Sequence, residues 1–162
     1  MKKNLFTYLL ILIMVFLATS LTVSAESPQN YEIIDRFYED GYYIETSIST
    51  NYETSSNLHT LSNTKYITKT KTISSKNASG NVMWSLSIKA TFSYNGKNAV
   101  CTSCSHSASA PGKTWTIKNA SSSKSGNSAT AKATIVHKDV SGVQNIYTRS
   151  VTIKCSANGT VS

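Results

Sequence analysis

The chain has 162 residues, 40% of them hydrophobic, with sixteen Lys and Arg against eight Asp and Glu and a formal net charge of +8. That length allows one domain with a modest core. Asp139 is the single carboxylate side chain after Glu53, so most of the chain lacks the pair of acids that glycosidase chemistry requires.

The first residues read as a secretory signal. Lys2 and Lys3 form a positive start, Leu5 to Leu21 an apolar run, and Val23-Ser24-Ala25 a small-residue cleavage site. The expected mature chain begins at Glu26 and has 137 residues (162 − 25). An uncleaved anchor is the competing reading, because the apolar run approaches spanning length. No later segment is apolar enough to hold the mature chain in a membrane, no cysteine near the cleavage site could take a lipid, and the C-terminus shows no wall-sorting signal. The expected location is outside the cell.

Charge divides the remainder in two. Residues 26–53 carry seven acids and one base, Arg36, for −6, whereas residues 54–162 carry thirteen bases and one acid for +12. The expected organisation is therefore a signal (1–25), an acidic N-terminal segment (26–53) and a basic β domain (54–162).

Within the acidic segment, Ser27-Pro28 resembles a helix cap. Ile33, Ile34, Phe37 and Tyr38 recur at helical spacing, and Gly41 ends the run. This predicts one short helix, followed by a strand over Tyr42–Ile48. Residues 51–64 are rich in Ser, Thr and Asn and read as a linker.

The body reads as all-β. From Val82 to Tyr94, Val82, Trp84, Leu86, Ile88, Ala90, Phe92 and Tyr94 occupy every second position, the pattern of a strand with one buried face. Burying its four largest side chains contributes on the order of 10 kcal/mol before entropy, an upper value because the unfolded chain already hides some of that area. Weaker alternation marks strands over 65–73, 99–109, 114–118, 128–138 and 143–155, separated by Asn77-Ala-Ser-Gly80, Asn95-Gly96, Pro111-Gly112, Ser125-Gly-Asn127 and Ser141-Gly142. About seven short antiparallel strands at regular spacing predict a β-sandwich-like domain.

Three cysteines, Cys101, Cys104 and Cys155, lie in the exported part. If Asn95-Gly96 turns a hairpin, Cys101 faces inward, as it also would with a four-residue loop. Cys155 shares the parity of Val151 and Ile153, while Cys104, three residues after Cys101, points outward. The expected bridge is Cys101–Cys155, with Cys104 as the free thiol. Closing that loop would stabilise by roughly 4 kcal/mol in the chain-entropy picture. A redox reading of Cys101-Thr-Ser-Cys104 lacks the helix start such motifs occupy. A zinc site from the cysteines and His106 lacks paired spacing. No metal and no cofactor is expected.

His59, His106 and His137 fall in no nucleophile or metal motif. A Cys104–His106 pair would share one face but has no orienting acid. The chain therefore reads as a non-enzyme, with a hydrolase as the weakest alternative. Lys65, Lys69 and Lys71 share one parity of their strand, and Lys89, Lys132, Lys138 and Lys154 the outward parity of theirs. They are the candidate contacts for polyanions such as anionic wall polymers or anionic lipid headgroups, against the alternative of solvated positions that guard strand edges. Tyr42, Tyr43, Tyr66 and Tyr147 do not interleave with lysine as on a base-stacking platform, which argues against nucleic acid.

Several stretches, Asp40-Gly-Tyr-Tyr-Ile-Glu-Thr46, Trp84, Thr91-Phe-Ser-Tyr-Asn-Gly96, Ala99-Val-Cys101 and Val151-Thr-Ile-Lys-Cys-Ser-Ala-Asn-Gly-Thr-Val-Ser162, resemble a group of small secreted proteins of Gram-positive bacteria with no established activity. The resemblance implies a bacterial exterior and two matching cysteines, Cys101 and Cys155. Cys104 departs from the pattern, and no catalytic residue carries over. The leading expectation is a secreted, non-enzymatic protein that associates with the anionic cell envelope. An antimicrobial or toxin-like protein is the alternative, disfavoured by the lack of a cationic amphipathic helix.

Overall fold

The computed structural model describes residues 31–50 and 64–162. The signal segment, the Ser27-Pro28 cap and residues 51–63 of the expected linker lie outside the described residues. The chain forms eight antiparallel strands: β1 (Tyr31–Glu39), β2 (Tyr42–Thr50), β3 (Lys65–Lys76), β4 (Val82–Tyr94), β5 (Ala99–Ser109), β6 (Trp115–Ser125), β7 (Ser128–Lys138) and β8 (Gln144–Lys154). They build a five-stranded sheet of order β1-β2-β3-β4-β5 and a three-stranded sheet of order β6-β7-β8. The architecture is a β-sandwich.

The eighth strand replaces the expected helix. Residues 31–39 are extended and pair with β2, and a bulge at Ile34 interrupts their register. The doubled apolar pair Ile33-Ile34, which imitates helical spacing, is this bulge. Asp40 and Gly41 have φ of 49° and 84°, and Glu39 lies opposite Tyr42. Positive φ at both central residues gives a tight two-residue hairpin, for which Asp-Gly is a preferred sequence. Gly41 therefore serves a hairpin and not a helix end. The acidic strands are an integral part of the larger sheet, because β2 pairs with β3 from Tyr43–Lys76 to Thr50–Lys69.

The core lies between the sheets. Trp84, Leu86, Ile88, Ala90 and Phe92 of β4 are all buried, as the alternation requires. They face a row of small side chains on β7, Ala129, Ala131 and Ala133, flanked by Ile135 and by Val151 and Ile153 of β8. Large residues against small ones let the layers interdigitate at native density. Strand β4 contributes most of the buried aromatic area.

The chain crosses between sheets at residues 110–114. Gly112 donates its N–H to the Met83 carbonyl at 3.0 Å, and a Cβ there would stand 2.8 Å from Trp115 Cδ1 and 3.1 Å from Met83 O. Only a glycine admits this close backbone approach. It seats Trp115 at one end of the sandwich.

Candidate functional site

Three regions carry the chemistry. At the first, Asn95–Asn98 form a four-residue loop, so Tyr94 lies opposite Ala99 and Phe92 opposite Cys101. Cys101 points inward, as expected, at 4% exposure. Cys104 does not point outward. A bulge at Thr102 shifts the register, placing Cys104 opposite Ala90 on the same inner face as Cys101. Cys104 packs against the core, half-buried.

The three cysteines are free thiols in this structure, so the expected Cys101–Cys155 bond is not made. The Cys101 thiol donates to Ser103 O at 3.3 Å and that of Cys155 to Ser156 O at 3.4 Å. Their backbones nevertheless converge. Cys101 N–H donates to Gly126 O at 2.8 Å and Cys155 N–H to Asn127 O at 3.0 Å, two successive carbonyls of the β6–β7 turn. Burial, with a smaller contribution from Cys104, pushes the Cys101 thiol up, and burial does the same to Cys155. Both favour the protonated form, unlike a redox-active thiolate.

The second region is the lysines, which the structure divides among three surfaces. Lys65, Lys69 and Lys71 share the inner parity of β3, opposite Tyr94, Ala90 and Ile88. Lys69 and Lys71 are half-buried, and burial lowers the Lys71 ammonium below its usual range. Their shared parity is real, but it is the core-facing one. Lys89 lies on the outer face of the larger sheet, opposite Thr70 and Ser105. Around it are Thr68, Thr72, Ser87, Thr91, Ser103 and Ser107, tied across strands by Thr68–Thr91 and Thr72–Ser87 hydroxyl bonds at 2.9 and 2.8 Å. Lys132 and Lys154 occupy the outer face of the smaller sheet opposite Ser150 and Ser128, with Lys138 farther along opposite Gln144. The lysines named from the sequence therefore do not form one patch.

The third region is a cleft between the sheets at the Trp115 end. Ile44, Ser75 and Trp84 form its floor and Trp115, Tyr147 and Arg149 its roof, with Glu39, Asp40 and Tyr42 at the rim. Arg149 points between the sheets, where Nη2 meets Glu39 Oε2 at 2.5 Å and the guanidinium lies 5.4 Å from the Tyr147 ring centroid. Trp115 stacks on His137 at 4.2 Å and meets the edge of Tyr42 at 5.3 Å. Burial, then the negative charges of Asp40 and Glu39, raise the Tyr147 phenol. Sequence reasoning did not assemble this cleft. Arg149 gave a signal nonetheless, because it shares the inward parity of Tyr147, Val151 and Ile153.

The remaining candidates are quieter. His106 lies opposite Ile88 and hydrogen-bonds Ser122 Oγ on β6 at 3.0 Å, with no carboxylate in that contact. Among the described residues no group of His, Cys, Asp and Glu is placed to hold a metal ion, and no helix is long and apolar enough to cross a membrane. No family model, curated protein or solved structure matches the chain.

Proposed function

We propose that the protein is a secreted, non-enzymatic binding protein that holds anionic polymers of the cell envelope through the outer faces of its two sheets. The supporting observation is the separation of charge. The acids gather on β1 and β2, where Glu39 pairs with Arg149 and Glu45 with Arg36 and Lys76. The outer face of β6–β8 holds Lys132, Lys138 and Lys154 among Ser and Thr hydroxyls and carries no carboxylate. Lys89 has a similar setting on the opposite side of the sandwich. Such a face attracts phosphate-bearing chains and supplies hydroxyls to their oxygens.

An exterior location also implies oxidising conditions. There Cys101 and Cys155, brought to successive carbonyls of one turn, are the pair that closes a disulfide.

Titration of the secreted protein with poly(glycerol phosphate) tests the reading. Binding should fall as salt rises, and the Lys132→Ala/Lys154→Ala pair should weaken it by about threefold to tenfold. Salt-independent binding, or an unchanged affinity in the double variant, would remove the proposal.

A further inference from the structure

The cleft between the sheets differs chemically from the lysine faces. Among the described residues, three buried side-chain polar atoms have no hydrogen-bond partner in the protein: Ser75 Oγ, Trp115 Nε1 and Arg149 Nε. All three residues line this one cleft. Folded proteins leave few such groups, because each orphan opposes folding. Three in one place point to a molecule that binds there. Ser75 is fully buried and Trp115 only 7% exposed, so bulk solvent does not satisfy them.

Their chemistry defines what they receive. An indole N–H and a guanidinium N–H can only donate, and a serine hydroxyl can rotate to donate. The three therefore call for an acceptor oxygen. The charge at the rim excludes an anion as the best fit. Glu39 neutralises Arg149, and Asp40 adds a further negative charge beside the Tyr147 phenol. A neutral carbonyl or hydroxyl oxygen suits the donors, whereas a carboxylate or phosphate would meet Asp40.

Size and walls narrow the class further. The cleft is shallow: its empty space reaches about 230 Å3 only when the open solvent at its mouth is counted, and within it there is room for about one water-sized group. This is smaller than a drug-sized pocket, so a ligand would insert one group and rest the remainder on the aromatic rim. An acetamido group has the matching parts. Its carbonyl accepts from the three donors, its N–H can donate to the remaining lone pairs of Asp40, and its methyl packs on Trp115 and Tyr42. A sugar ring carrying it would lie against the rim aromatics. The Trp115 indole is already fixed by His137, Tyr42 and Gly112, so little ordering is left for binding to supply.

From this juxtaposition of Ser75, Trp115 and Arg149 beneath an aromatic and acidic rim, we infer that the cleft binds a neutral N-acetylated amino sugar. The site is separate from the lysine faces, and its ligand carries no charge. Either reading can fail without the other.

The Trp115 indole N–H resonance of the 15N-labelled secreted protein reports on the site directly, and Trp115→Phe assigns it against Trp84. Three neutral probes are titrated at high salt: the N-acetylglucosamine trimer, the glucose trimer, and N-methylacetamide. The expected result is a saturable shift with the N-acetylglucosamine trimer, at least tenfold weaker binding of the other two, and about tenfold weaker trimer binding in Ser75→Ala. Arg149→Lys, which keeps the charge facing Glu39 but removes Nε–H, should weaken it similarly. Equal response to the glucose trimer overturns the acetamido assignment. Equal response to N-methylacetamide makes this an amide or peptide site and overturns the sugar. No saturable response to any probe leaves a slot for ordered water alone, which also overturns the inference.

Discussion

Lys76 donates to the Glu45 carboxylate at 2.6 Å from the neighbouring strand, and together they fasten the acidic hairpin to the basic part of the larger sheet. Glu45 is 4% exposed, and its other oxygen accepts from Arg36 Nε at 3.2 Å and from Nη2. Burial alone would raise its pKa. The hydrogen bonds and charges of Lys76 and Arg36 outweigh that and hold it below its ordinary value near 4.5. A carboxyl depressed in the folded state stabilises fully above the unfolded pKa, and this contribution is lost as pH falls through the folded value. Glu45→Gln should therefore cost about 1–3 kcal/mol near neutral pH and flatten the acid limb of the stability profile. Because Arg36 is 55% exposed and Lys76 27%, Lys76→Met should cost more than Arg36→Met. Denaturant unfolding of the three variants between pH 3 and 7 checks the order.

Gly159 and Tyr94 make a second contact that tolerates little change. The glycine has φ of 89°, and a Cβ there would stand 2.5 Å from the tyrosine ring. Ala157 O accepts from Gly96 N–H nearby at 2.9 Å, so the C-terminal turn closes over the β4–β5 hairpin. Gly159→Ala should destabilise by about 1–3 kcal/mol through the left-handed backbone and the displaced ring. Gly80→Ala shares the positive φ but meets nothing within 4 Å, and should cost less. An equal loss of melting temperature in Gly159→Ala and Gly80→Ala would show that the ring moves freely and only the backbone resists.

For the thiols, the protein folded under oxidising conditions should weigh two hydrogens less than its fully reduced form and take one alkylating group without reduction. Peptide mapping should join Cys101 to Cys155. A Cys101–Cys104 link is the informative failure, because the bulge at Thr102 brings both to the inner face. Cys104→Ser should leave the mass deficit in place, and Cys155→Ala should abolish it.

How much of this was legible depends on whether a strand kept its period. Strand β4 bulges once, at Met83 near its start, and keeps an unbroken period from Trp84 to Tyr94, so its alternation marks its buried face. In β5 the same rule holds to Cys101 and fails at Cys104, since one extra residue at Thr102 turns the following side chains over. A bulge of that kind has no marker in a run of Ser and Thr. Strand β1 is hidden for a different reason. Ile33-Ile34 imitates helical spacing, and Gly41, which with Asp40 makes a strong hairpin signal, also suits a helix end. The cleft residues come from β1, β2, β3, β4, β6 and β8 and the β1–β2 turn, so only the packing of two sheets brings them together. Parity did carry one unused message: a cation among inward positions, as at Arg149 and Lys71, marks a place where the sandwich edge is open or a charge is paired.

Lys71 shows what that message is worth. It lies on the inner side of β3 between Ile48 of β2 and Ile88 of β4, and burial lowers its pKa. A lysine depressed in the folded state is one whose charge opposes folding. The penalty is present at neutral pH and is relieved as pH rises through the folded value toward the unfolded pKa near 10.5. Lys71→Met keeps the stem and removes the charge, so it should stabilise by about 1 kcal/mol at neutral pH, with the gain shrinking in alkali. Were Lys71 a polyanion contact, the same change would weaken binding to poly(glycerol phosphate). The core-facing placement predicts instead that Lys71→Met binds like the parent while Lys132→Ala/Lys154→Ala does not. Unfolding and binding measured on the same samples separate a buried charge from a surface one.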